Sequence, residues 1–583
     1  MKTFFRKKII ITIMLMTMFA CKKNKENTTP NDPSNAIDPP SETQQTPQQL
    51  ANEFLQAYQT EFAKLEKTNN ELYWKASISG KDEDFQAAGA AELALRQFHS
   101  SAEKFKIIKD LLTQKNQLEE ITTRQLEVAY LLFAGNQLPA DMLKQMVEQQ
   151  KELEKINSNF RGKIGDQEYP NNQLIQIMRK ETNSTKRKAA WEALKQVGAV
   201  IGPKVVELAK LRNQAAQKMG YANFWEMQIR LQEHDPAMIM SIFEELEKLT
   251  AEPFRKAKAQ LDAELAKKFK IKITDLMPWH YDDPFFQEAP SSAAVDLDTF
   301  FQNKKEQDIV DIAKAFFAGI DLPIDDIVQQ SDFFEKQGKD QHAYCTTIDR
   351  GADVRMLLNI KSNARWMDTM LHESGHAVYF KWTDRSLPYN LRDAAHIFTT
   401  EGVAMMFGAL AKTPRWLGEF IKVDPQILAA KAKAILEQRR LEQLVFMRWA
   451  LVMLHFEKKL YENPDQDLNT LWWDLVERMQ MLKRPAGRNN PDWASKVHFV
   501  IAPVYYHNYA LGELFAAQLR KAIAKLVEHN GPIYELNWNN KRIGTFLREK
   551  IFAPGMKVHW PQFVEAATSE PLSAKDFAAE VTQ

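Results

Sequence analysis

Met370-Leu371-His372-Glu373-Ser374-Gly375-His376-Ala377-Val378-Tyr379-Phe380 is the stretch on which the reading of this chain turns. It contains the pattern His-Glu-x-x-His. On a helix, residues four apart share a face, so His372 and His376 can bring both imidazoles to one Zn²⁺. Glu373 lies beside that face and can take a proton from a water at the metal. The blander reading is two surface histidines on a helix. The apolar residues on both sides argue against it, because they suit a buried helix where unliganded polar groups would be costly. A catalytic zinc usually has three protein ligands. The sixth position after His376 is Trp382, not a third histidine. The downstream candidates are Asp384, Asp393, His396 and Glu401. Glu401 is favoured: it lies 25 positions beyond His376 and begins a second apolar helical stretch, Gly402–Leu410, behind Thr399-Thr400, which can cap its start. His396 is its competitor.

Outward from the motif, long helical patterns dominate. Apolar residues recur at three- and four-residue spacing over roughly 50–72, 84–112, 140–160, 183–219, 236–269, 297–318, 425–461 and 504–527. Val354–Ile360 reads as a strand, and Ala343–Ile348 as a weaker one. The expectation is a mostly α body with a small β element beside the zinc helix. Glycine usage agrees. There are 20 in 583 residues, roughly half the usual share of about 7%, which disfavours sandwiches, propellers and Gly-rich nucleotide folds.

The N-terminus reads as an address. Lys2, Arg6, Lys7 and Lys8 precede an apolar run, Ile9–Ala20, too short for a comfortable membrane span. Met18-Phe19-Ala20-Cys21 resembles a bacterial lipobox. This implies a signal peptide over 1–20, a lipid on Cys21, and a polar tether over 21–49 rich in Pro, Asn, Thr, Ser and Gln. The expected place is the bacterial cell envelope, periplasmic or surface-exposed. With Cys21 acylated, Cys345 is the one free thiol. Lys+Arg 77 against Asp+Glu 76 excludes a strongly basic nucleic-acid binder. Residues 50–583 show no further linker and are expected to form one catalytic domain.

Around the metal motif the sequence resembles the angiotensin-converting enzyme family of peptidyl-dipeptidases. Leu387-Pro388, Leu391-Arg392 and Glu401 match the family's stretch leading to its glutamate ligand. The His-to-Glu gap is that of gluzincins. Trp472-Trp473, Arg484-Pro485, Arg488 and Lys496-Val497-His498 resemble the approach to its Lys-(aromatic)-His signature, and Tyr506 and Tyr509 its Tyr-x-x-Tyr pair. The resemblance covers most of 50–583 and is most specific between Val354 and Leu514.

The resemblance implies a helical ellipsoid split by a deep groove, one Zn²⁺ on His372, His376 and Glu401, and Glu373 activating water. It implies that His498 and Tyr509 stabilise the oxyanion, and that Lys496 and Tyr506 hold the C-terminal carboxylate of an oligopeptide substrate. The gap from His498 to Tyr506 is one residue longer than in the family, so Tyr505 can replace Tyr506, and His507 is a further donor. The implied reaction is release of C-terminal dipeptides. Two alternatives remain: a thimet-type oligopeptidase, which needs no carboxylate-holding lysine, and a silent peptide-binding envelope lipoprotein, which has no use for Glu373. There are departures. Asn508 stands where animal members have a chloride-binding Arg, so chloride activation is not implied. Thr400 and Met405 replace a His and an Asp near the glutamate ligand, so the partner of a zinc imidazole must come from elsewhere. Only Cys345-Thr346-Thr347 answers to the substrate-binding strand.

Overall fold

A helix that carries two metal ligands four residues apart needs a fixed start and neighbours that can approach it closely. In a computed structural model of the chain, which describes residues 45–290 and 295–582, both are present. The Ala364–Trp382 helix starts at Asn363, whose side chain accepts from the Trp366 amide. The Ile397–Gly408 helix packs most extensively against it and against His507–Leu526. Glycines permit this approach. A Cβ on Gly375 would stand 2.7 Å from the Ala404 Cα, and one on Gly402 would stand 2.7 Å from the Gly512 carbonyl oxygen. The few glycines thus serve helix contact at the site as well as turns.

The expected mostly helical fold is the observed one. Among the described residues the β structure is two small antiparallel hairpins. Tyr344–Thr347 pairs with Val354–Leu357, Tyr344 opposite Leu357 and Thr347 opposite Val354. Gly162–Ile164 pairs with Gln167–Tyr169 and was not expected. The strand expected to reach Ile360 ends at Leu357. Beyond it the backbone amides of Leu358 and Ile360 bond to Asp332 and Phe333 instead.

Two expected helices are each two. The 84–112 pattern divides into Asp82–His99 and Ala102–Leu112, because Ser101 caps the second through the Lys104 amide. The 297–318 pattern divides into a 3₁₀ turn, Leu297–Phe301, and a helix, Glu306–Gly319, at whose start Asp308 accepts from the Lys305 amide. The first helix, Pro47–Ser79, begins inside the segment assigned to the tether, with Pro47 at its first position. The signal segment, Cys21 and the tether up to residue 44 lie outside the described residues. Pro47–Gln583 forms one compact unit. Its main core runs from Leu153 to Val581, with a satellite under Tyr58, Phe62 and Phe133. No helix among the described residues is long and apolar enough to cross a membrane.

Candidate active site

The metal ligands converge as the spacing predicts. His372 Nε2 and His376 Nε2 are 3.2 Å apart, and Glu401 Oε2 lies 3.7 and 3.8 Å from them. Ligands about 2.0–2.1 Å from a tetrahedral zinc are about 3.3 Å from one another, so the three donors already lie near the edges of such a site. Burial holds both imidazoles below their usual pKa, as neutral ligands must be. His376 Nδ1 sits 2.7 Å from the Thr400 hydroxyl. Donating there fixes the tautomer and leaves Nε2 for the metal. The imidazole partner missing from the sequence pattern is therefore Thr400 itself. Burial pushes Glu401 up to about 7. Burial, then the Glu401 charge, pushes Glu373 up to about 8 against a hydrogen bond from the Cys345 backbone. A dication between them would reverse both shifts. This donor set suits zinc, and it is the one such cluster among the described residues.

The competing ligands are occupied elsewhere. His396 caps the Glu401 helix: Nδ1 accepts from the Phe398 amide and Nε2 donates to the Gln232 carbonyl oxygen at 2.6 Å. The helix therefore begins at Ile397, with Thr399 and Thr400 inside its first turn, and Thr399 completes the cap by accepting from the His396 amide at 3.1 Å. Asp393 pairs with Arg350, and Asp384 accepts from Ser386.

The Tyr344–Thr347 strand packs on the zinc helix and brings the Cys345 backbone to Glu373. Burial, then Glu373, holds the Cys345 thiol far above its usual pKa, so it stays protonated.

The second cluster surrounds Lys496, which is 8% exposed. Its ammonium donates to Gln287 Oε1 and lies 5.2 Å from the Trp449 ring centre and 5.6 Å from those of Phe285 and Tyr506. Burial lowers it to about 8, and Asp283 and Glu288 oppose the shift. Among the described residues no carboxylate forms an ion pair with it. Tyr506 accepts from Trp449 Nε1 at 2.8 Å. His498 stacks edge-on to Tyr506, and its buried Nδ1 has no partner. Burial and then Lys496 bring that imidazole to about 4, so it is neutral at physiological pH.

The three tyrosines divide between these clusters. Tyr505 and Tyr509 lie 5.3 Å apart, and both phenols are raised first by burial and then by the Glu401 charge. Tyr506 faces Lys496. Tyr505 is therefore not the substitute for Tyr506 that the longer spacing suggested. The connection from His498 to the tyrosines bends at Val504, whose φ of 54° is rare for a β-branched side chain. Glu457 accepts its amide, and Gln232 donates to its carbonyl. His507 is buried against His234, away from both clusters.

The family profile described as angiotensin-converting enzyme matches residues 45–578. The chain belongs to the angiotensin-converting enzyme family. The match covers all the elements described above, and the family's zinc chemistry agrees with the His-His-Glu cluster. The mouse protein called angiotensin-converting enzyme-like protein Ace3 is 22% identical over 436 residues, which is 69% of this chain and 58% of that protein. Within the family frame the departures have local explanations. The Asn508 amide donates to Gln232 Oε1 at 2.7 Å and its oxygen lies 3.3 Å from His234 Nε2, so its polar groups are used inside the fold. Gln287, Gln232 and Glu457 carry no motif and were not singled out in the sequence; Thr400 was, but not as the partner of His376.

Proposed function

We propose that this chain is a zinc peptidyl-dipeptidase, releasing dipeptides from the free C-termini of oligopeptides. The observation that carries this reading is Lys496: a buried cation with no carboxylate partner among the described residues, held by Gln287 and walled by Trp449, Phe285 and Tyr506. An enzyme that measures from a C-terminus needs such a fixed charge, and the substrate carboxylate supplies its missing partner. His372, His376 and Glu401 hold the metal. Zinc, when bound, polarises the scissile carbonyl and acidifies the attacking water. Glu373 takes that water's proton and delivers it to the leaving amine. His498 and Tyr509 donate to the oxyanion that develops at the carbonyl, a neutral imidazole and a phenol being suitable donors there. The Tyr344–Thr347 strand, which lies beside Glu373, aligns the peptide through its remaining backbone groups. Upstream, a lipid on Cys21 holds the enzyme at a bacterial cell envelope.

The test is product analysis by mass spectrometry of one peptide as its free acid and as its C-terminal amide, with and without a chelator. Dipeptides from the free acid alone, and only with metal, support the reading. Equal cleavage of the amide would favour a thimet-type endopeptidase.

A further inference from the structure

A cavity of about 440 Å³ lies between residues 432–443 of the Pro425–Glu462 helix, the 533–535 turn and the C-terminal Lys575–Thr582 helix; of these only the long helix also serves the site, through Trp449. Its size falls within the usual range for small-ligand pockets, roughly 300–1,000 Å³. Arg439 lines it and is half-buried. No hydrogen bond or ion pair joins Arg439 to any described residue, and its Nε is sealed from solvent without a partner. Buried guanidinium donors are seldom left in that state.

A second guanidinium stands close by. Arg520 is held by Glu513 at 3.0 Å and by Glu580 at 2.7 Å, yet its Nη1 is also buried and unpartnered. Burial and then the like charge of Arg520 lower the Arg439 pKa, and the charges of Glu580, Glu513 and Glu442, none within ion-pair distance, oppose the shift. Arg520 does not line the cavity; Arg439 does, and its guanidinium, with no hydrogen bond or ion pair to a described residue, makes a seat for a carboxylate. The cavity is not simply cationic, however. Arg440 and Lys433 line it together with Glu437, Glu535 and Glu580, the last already paired with Arg520. Glu535 forms no ion pair with a described residue, and Glu437 reaches only Lys433, at 3.8 Å. A lining that offers an unused guanidinium together with carboxylates that are unpaired or weakly paired fits a small zwitterion better than a bare anion.

We propose that this cavity binds a free dipeptide, its carboxylate on Arg439 and its ammonium on Glu437 and Glu535. The choice of a dipeptide among zwitterions rests on the reaction proposed above, whose products are dipeptides. The site itself rests on the cavity and the unpartnered Arg439 that lines it.

Isothermal calorimetry on the zinc-loaded protein with alanylalanine tests it. The Lys496→Met background removes the groove's carboxylate partner, so the remaining binding is that of the second site. That component should weaken by about 10-fold or more in Lys496→Met/Arg439→Gln, the loss expected for a charge-assisted contact. It should weaken comparably for the dipeptide amide and for N-acetyl-alanylalanine. Arg439→Lys, which keeps the charge but not the fork, should fall between. Arg439→Gln should melt no lower than wild type, because it removes an unpartnered donor, so a lost component is not a lost fold. Unchanged dipeptide binding in the Arg439→Gln background would overturn the proposal. So would equal affinity for the amide, or full competition by inorganic phosphate at the same concentration. If the chain proves to be an endopeptidase, the Arg439-dependent heat is still measured separately, so the two readings fail independently.

Discussion

The metal end and the Lys496 end of the site are built in different ways. The metal end is a junction of three helices, Ala364–Trp382, Ile397–Gly408 and His507–Leu526, drawn together by Gly375, Gly402 and Gly512. Its ligands are set by helical periodicity and one connection. The Lys496 end is assembled from four separated stretches: Phe285 and Gln287 in a loop, Trp449 in the middle of a long helix, Lys496 after a 3₁₀ turn, and Tyr506 at the mouth of a helix. One end depends on close backbone approach and the other on side chains that share a desolvated charge. The reaction proposed above needs both: the first breaks the bond and the second chooses which bond.

Each end can be broken separately. Glu373→Gln removes the base and leaves the three ligands, so turnover should fall on the order of 10³-fold or more while zinc content by atomic absorption stays at one per chain. Retained activity would sink the proposed mechanism. Lys496→Met should cut kcat/KM for free-acid peptides on the order of 10²-fold, the value of a charge-assisted hydrogen bond, and should leave amidated peptides unaffected. Equal losses for both would show that Lys496 supports the fold rather than the carboxylate.

Two smaller effects sharpen the contrast. Thr400→Val deletes the hydroxyl that orients His376 and should weaken zinc binding about 10-fold to 100-fold, as read by chelator competition. The same variant should leave KM for zinc-saturated enzyme nearly unchanged. The last effect is in pH. Lys496 is charged below its value of about 8 in the free enzyme and neutral above it. KM for a free-acid peptide should therefore rise as pH passes about 8, by up to about tenfold per unit, with no such rise for the amide. A flat KM from pH 7 to 10 would remove Lys496 from carboxylate binding.

How far each end was legible follows from this construction. His372, His376 and Glu401 could be read because a short periodic motif and one adjacent helix contain them. Lys496, His498 and Tyr509 could be named only through the family resemblance, since nothing in their local pattern separates a bound lysine from a surface one. Tyr505 and Tyr506 could not be told apart. Which of two neighbouring tyrosines faces the lysine depends on the left-handed turn at Val504, and that turn depends on Glu457 and Gln232, 47 and 272 residues away in sequence. The helix break at Ser100-Ser101 was missed because the apolar period runs through it, while a single capping hydroxyl decides the matter.

The sequence by itself determined the helical class and the His-His-Glu pattern, which rest on periodicity and on residue types at fixed spacing, and its motifs carried the family resemblance and the proposal of Glu373 as the base. Only the tertiary structure decided that Thr400 orients His376, that His396 is a cap and not a ligand, and that Gln287 and three aromatic rings surround Lys496. The physical reason is that hydrogen bonding and desolvation act between groups brought together in space, and the spacing of residues along a chain does not specify which distant groups will meet.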